Sequence, residues 1–167
     1  MIKKRDIQRS LQTLDRRYNA ATLDIADTIY YSKLAVLEYC GWIEHCMDQI
    51  VERSIKGKLK TDKFKRKFQK EIVGRTYGFM YDKHFLPMVI RTVGIVEAER
   101  LERLLEADGS YQVLEAQLNQ MKKYRDKAAH TWSDLSGAVF PAPSMLLGNL
   151  DAAYPIFTKL YSFACRI

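Results

Sequence analysis

The stretch YRDKAAHTW, Tyr124 to Trp132, holds an arginine, an adjoining carboxylate and one of the chain's three histidines. The planar guanidinium fork of Arg125 suits a phosphate, because it can hold two oxygens and stabilise extra negative charge on them. His130 carries an imidazole that titrates near neutral pH, so it can accept or donate a proton there. Asp126 would orient one of the two. Such a set can cleave a phosphodiester without a metal ion if the substrate brings its own nucleophile. RNA does so in the 2′-hydroxyl beside each phosphate.

The surrounding residues place this set on a helix. With Leu114 as zero on a wheel of about 100° per residue, Leu118, Met121, Ala128 and Trp132 fall within about 40° of it. Arg125 falls at about 20°, in the middle of the apolar seam. Burying an unpaired guanidinium costs several kcal/mol, so Arg125 needs a partner or a ligand. Asp126, Glu44 and a helix C-terminus are all open as structural partners, and His130 by itself reads more readily as an ordinary surface or core histidine than as a site. Glu44, about 60° from the centre of its own helix's apolar stripe, can reach a cleft and hold Arg125 or His130, or stand as a solvated boundary carboxylate. His130 lies about 140° around the helix from Arg125 and about 7.5 Å along it. One straight helix does not aim both at one phosphate. Two copies about a two-fold axis would, which leads to the expectation of a homodimer with a composite cleft.

Arg125 and His130, four residues between them, with the polar Asp126 directly after the arginine and AA before the histidine, resemble the Arg-x4-His signature of the HEPN superfamily. SKLAVLEYCGWIEHC, residues 32 to 46, is similar to the helix that precedes the motif in some HEPN groups, and the whole resembles the ribosomal-L-PSP-associated type. The resemblance implies an HEPN-like helical bundle and a metal-independent endoribonuclease that leaves 2′,3′-cyclic or 3′-phosphate ends. It also implies the setting of a toxin or antiviral defence effector with a cognate antitoxin or regulatory protein. A non-catalytic module binding RNA, a nucleotide or a protein partner through the same cleft is the rival reading, and a scaffold subunit of a larger complex is another. One departure stands out: toxins whose partner is a nucleotidyltransferase commonly carry a tyrosine two residues after the histidine, where this chain has Trp132 after Thr131. A tryptophan cannot accept a nucleotide, which argues against that form of neutralisation.

The elements that must position these residues are helices. At 167 residues, with no stretch that alternates apolar and polar residues, the chain reads as one all-α domain over 1–167. Ile7, Leu11 and Leu14 predict a short, peripheral first helix. Asp24 caps a long second helix from Ile25 to Ile55 that should be the central strut of the core. Phe64, Phe68 and Ile72 mark a basic helix docked after a loop at Gly57, with both phenylalanines as anchors. An irregular connection from Gly74 leads to a helix over 87–106 that stops at Gly109, then the motif helix over 110–132, a loop over 133–149, and a terminal helix beginning between Asn149 and Pro155.

The net charge of +7 is concentrated: Arg53 to Lys70 carries nine Lys or Arg against the single Asp62. Lys56, Lys58, Lys60, Lys63, Lys65, Arg66, Lys67 and Lys70 are therefore candidate contacts to RNA phosphates, with a solvated face as the alternative. Cys40, Cys46 and Cys165 have no paired spacing, so neither a disulfide framework nor a zinc site is expected. His45 and Cys46 point in different directions on one helix and lack partners, so no metal and no cofactor is expected. With no leader and no run of about 18 apolar residues, the expected location is the cytoplasm, with no membrane association.

Overall fold

The computed structural model describes residues 1–21, 24–130 and 139–167, and among them every regular element is helical. Seven α-helices follow in order: α1 (Arg5–Ala20), α2 (Ile25–Ile55), α3 (Asp62–Glu71), α4 (Leu86–Val93), α5 (Ile95–Glu106), α6 (Ser110–His130) and α7 (Pro143–Ala164). A 3-10 turn, Val73–Arg75, and a π-helical turn, Tyr81–Phe85, break the connection between α3 and α4.

Asp24 starts α2 as its composition demands: the carboxylate accepts hydrogen bonds from the Ala26 and Asp27 N–H groups at 2.9 and 3.2 Å. Over its 31 residues α2 buries Val36, Tyr39, Cys40, Ile43, Met47 and Ile50, among others, against α1, α4, α6 and α7. It is the strut of the core. The first helix is neither short nor peripheral. It runs for 16 residues, packs on both α2 and α7, and puts Leu11 and Leu14 into the core, because three apolar residues at helical spacing suffice when two neighbours close over them.

The expected helix over 87–106 is two helices. Gly94 stands between them with φ +88°, a left-handed conformation that glycine adopts without steric cost, and α5 restarts from it. The loop expected over 133–149 is helical from Pro143, so α7 begins at least six residues before the expected start. Pro143 occupies the first turn, where its missing N–H costs nothing, and Pro155 lies inside the helix on its exposed side, where the carbonyl it leaves unpaired meets water. Residues 133–138 of that loop, and Thr131 and Trp132, lie outside the described residues.

α6 reaches the core through Leu114, Leu118, Met121 and Ala128, all buried on the seam read from the sequence. Gln117 is buried beside them, and its side-chain amide donates to the Asn149 carbonyl at 2.8 Å, tying α6 to α7. Replacement of Ile43, which is fully buried at the middle of α2, by alanine should lower unfolding free energy by about 2–5 kcal/mol. Urea unfolding followed by circular dichroism would measure it, and native helix content should be unchanged.

Candidate functional site

Arg125 leaves α6 on the side that meets α2 and the connection after α3. Its guanidinium stands 3.8 Å from the Glu44 carboxylate and 3.5 Å from that of Asp126, and lies over the Phe79 ring at 5.8 Å. Two carboxylates and an aromatic face thus hold a side chain that keeps 34% of its surface in water. The seam position read from the sequence is therefore a half-exposed one: long and flexible, the arginine carries its charge from the seam's edge to solvent.

Arg125 and Glu44 share a cleft of about 390 Å³ with Leu37, Cys40, Gly41 and the Thr76–Gly78 segment. The α2 residues Leu37, Gly41 and Glu44 fall at helical spacing on one open strip. Burial pushes the Cys40 thiol up to about 12, against the pull of Arg125, so at neutral pH the cleft holds a thiol rather than a thiolate nucleophile. Asp126 is lowered from the usual carboxylate range, first by its hydrogen bond from Lys122 and further by Arg125 and His130. Asp126 therefore divides its oxygens between Lys122 and Arg125.

His130 is the last residue of α6, exposed, and not part of the Arg125 cleft. Within one chain the helix turns the two away from each other, as their angular separation requires. The eight basic candidates lie elsewhere as well: Lys56, Lys58, Lys60, Lys63, Lys65, Arg66, Lys67 and Lys70 are all exposed on the loop after α2 and on α3. Lys60 donates to the Gly57 carbonyl at 2.7 Å, and Lys65 and Lys67 pair with Asp62 and Glu71 at 3.1 and 3.8 Å. Lys56 and Lys65 line a separate opening of about 520 Å³ between α2, α3 and the end of α7. His45 hydrogen-bonds Gln49 along α2, and among the described residues no cluster of three or more His, Cys, Asp or Glu is arranged to hold a metal ion.

A third histidine, which the sequence left unnoticed, stands behind the cleft wall. The Met80 N–H donates to Nδ1 of His84 at 2.9 Å, so the neutral ring carries its proton on Nε2. The ring lies against Gly78, whose φ is +124°: a Cβ there would stand 2.8–3.1 Å from the ring atoms. Only glycine lets the wall and the imidazole approach so closely. Burial lowers the pKa of His84 from its ordinary value, with Arg125, Lys122 and Lys83 acting in the same sense and Glu44 opposing them. Glycine and aromatic residues crowded around His84 in GRTYGFMYDKHF were the available signal, but nothing in that spacing pairs His84 with Arg125.

A protonated Nδ1 cannot accept from Met80, so the wall depends on neutral His84. Because its folded pKa lies below the unfolded one, its contribution to stability is complete above about pH 6.5 and is lost as pH falls through the folded value. Two-dimensional NMR should find the neutral Nε2–H form at pH 7, with the Met80 amide shifting as the pH falls below 6.5. His84→Asn, which keeps an acceptor near the Nδ1 position but does not titrate, should remove that shift.

No protein-family model matches the chain, and neither a curated protein nor a solved structure is significantly similar to it.

Proposed function

We propose that the chain is an HEPN-type, metal-independent endoribonuclease acting as a homodimer, in the setting of a toxin or an antiviral defence effector. The observation that carries this reading is the half-exposed Arg125 at the mouth of a cleft, held in place by Glu44 from a second helix. A purely structural ion pair has no need of the adjoining open volume.

In the dimer, Arg125 binds the non-bridging oxygens of the scissile phosphate, and Glu44 and Asp126 fix its fork. His130 takes the proton of the 2′-hydroxyl, O2′ bonds to phosphorus, and the P–O5′ bond breaks. The second protomer's copy of the same histidine, in its protonated form, gives a proton to the leaving O5′, and the product end is a 2′,3′-cyclic phosphate. The separation of His130 from Arg125 within one chain supports a composite site. So does Gly41, in the middle of α2 on the open strip, where a Cβ would meet nothing within 4 Å. Glycine in a helix interior costs about 1 kcal/mol relative to alanine, and close approach of a second copy gives it a use.

The second reading, a non-catalytic module that binds RNA through the same cleft, is favoured by the two carboxylates already in contact with Arg125. Purified wild type and His130→Ala, incubated with total tRNA and a structured mRNA in EDTA, separate the two. Wild type should cleave to cyclic or 3′-phosphate ends, and the variant should be slower by about 10²–10⁴-fold while remaining dimeric by light scattering. Equal cleavage by both proteins would remove His130 from the reaction, and RNA binding without cleavage by either would select the binding module. Gly41→Ala should raise the stability of the isolated protomer by up to about 1 kcal/mol and weaken the dimer, as dilution series of the two proteins would report.

A further inference from the structure

The two phenylalanines of α3 have different fates. Phe68 is buried and anchors the helix, whereas Phe64, expected to anchor it too, leaves 55% of its surface exposed. One turn of helix carries it outward, beyond the reach of the core. It borders a slot of about 250 Å³ with an apolar floor of Ile55, Leu59 and Ile72, rimmed by Arg91 and by the paired Lys67 and Glu71. That volume is below the range of about 300–1,000 Å³ typical of drug-sized ligands, so it suits one planar group rather than a whole cofactor.

Charge identifies the occupant. Lys63, Arg66 and Lys70 project from the same short helix, and among the described residues no carboxylate is paired with any of the three. A solvent-exposed aromatic ring amid unneutralised cations is the arrangement that binds single-stranded nucleic acid, the ring taking a base and the cations the backbone. An acidic peptide would satisfy the cations, but it brings a planar group only at its aromatic residues, whereas every nucleotide carries a base beside its phosphate.

We propose that the slot beside Phe64 is a base-binding subsite for single-stranded RNA, in which one unpaired nucleobase stacks on Phe64 and the flanking phosphates lie against Arg91, Lys63 and Arg66. This rests on RNA being the ligand and adds the place where the strand is gripped away from the scissile bond. The chain connects the two sites directly. Ile72 lines the slot and Thr76 lines the Arg125 cleft, so their Cα atoms are at most about 14 Å apart along four residues of backbone. One short strand spans both, and the subsite selects substrates with an unpaired base a few nucleotides from the cleavage point.

The test uses the full chain with His130→Ala as background, so that RNA survives the titration. A single-stranded oligoribonucleotide carrying one 2-aminopurine, and the same sequence as a duplex, are titrated while fluorescence and anisotropy are read. The expected result is quenching of the single strand on binding and, for Phe64→Ala, an affinity for it weaker by about 5- to 100-fold. The salt dependence should be unaltered, since no charge is removed, and duplex binding should be unaffected. Phe64→Trp should restore affinity and quenching, and Lys63→Gln with Arg66→Gln should flatten the salt dependence instead. Equal single-strand affinity for wild type and Phe64→Ala overturns the subsite while leaving RNA as the ligand. No RNA binding by the parent protein overturns both. A change in oligomeric state on Phe64→Ala, with RNA affinity intact, overturns it in favour of a second copy as the occupant.

Discussion

Burial of α2 is the constraint on which the rest of the molecule depends. Most of the stability of this helix comes from packing rather than local propensity, and its broad apolar face is covered by α1, α4, α6 and α7. Part of the face left uncovered is the strip of Leu37, Gly41 and Glu44. The position of the cleft is thus a by-product of the packing: where the bundle fails to close over its own strut, Glu44 meets α6 and catches Arg125. Glu44 is fixed in place by a core it does not belong to.

The electrostatics of the cleft follow from the same geometry. One fixed cation sits beside two carboxylates, and each neighbour is driven to the form that leaves this balance undisturbed. Cys40 stays protonated because burial outweighs the pull of Arg125, and His84 stays neutral because burial and three nearby cations disfavour a further positive charge. The cleft therefore keeps Arg125 as its anion receptor across the neutral range, with little competition from groups that change charge around it.

The fold was legible in the sequence where periodicity was long and uninterrupted. The seam of Leu114, Leu118, Met121 and Ala128 and the stripe of α2 are core, and Asp24 is the cap that starts α2. Boundaries set by single residues were not. Gly94 divides a helix with no apolar pattern to announce it, and Pro155 reads as a terminus although the helix passes through it on its exposed side. In the site, Arg125 was legible because a charge in an apolar seam is anomalous on a wheel, and Glu44 was reachable from its shoulder position. His84 and the Gly78 wall were not, because their meeting depends on a π-helical turn and a positive φ, neither of which leaves a periodic trace. Phe64 and Phe68 share a helix face by spacing, yet only one is covered, since what covers a face is a matter of tertiary neighbours.

α3 is attached to the body chiefly through Phe68 and its contacts with the 3-10 turn that follows it, whereas every other helix packs against at least two elements. A segment secured by so little apolar contact opens at a lower free energy than the domain unfolds, so its amide hydrogens exchange with solvent ahead of those of α2 and α6. The turn at its end runs straight into the cleft wall, where the Thr76 hydroxyl donates back to the Ile72 carbonyl at 2.8 Å. The least anchored helix is thus joined directly to one wall of the cleft.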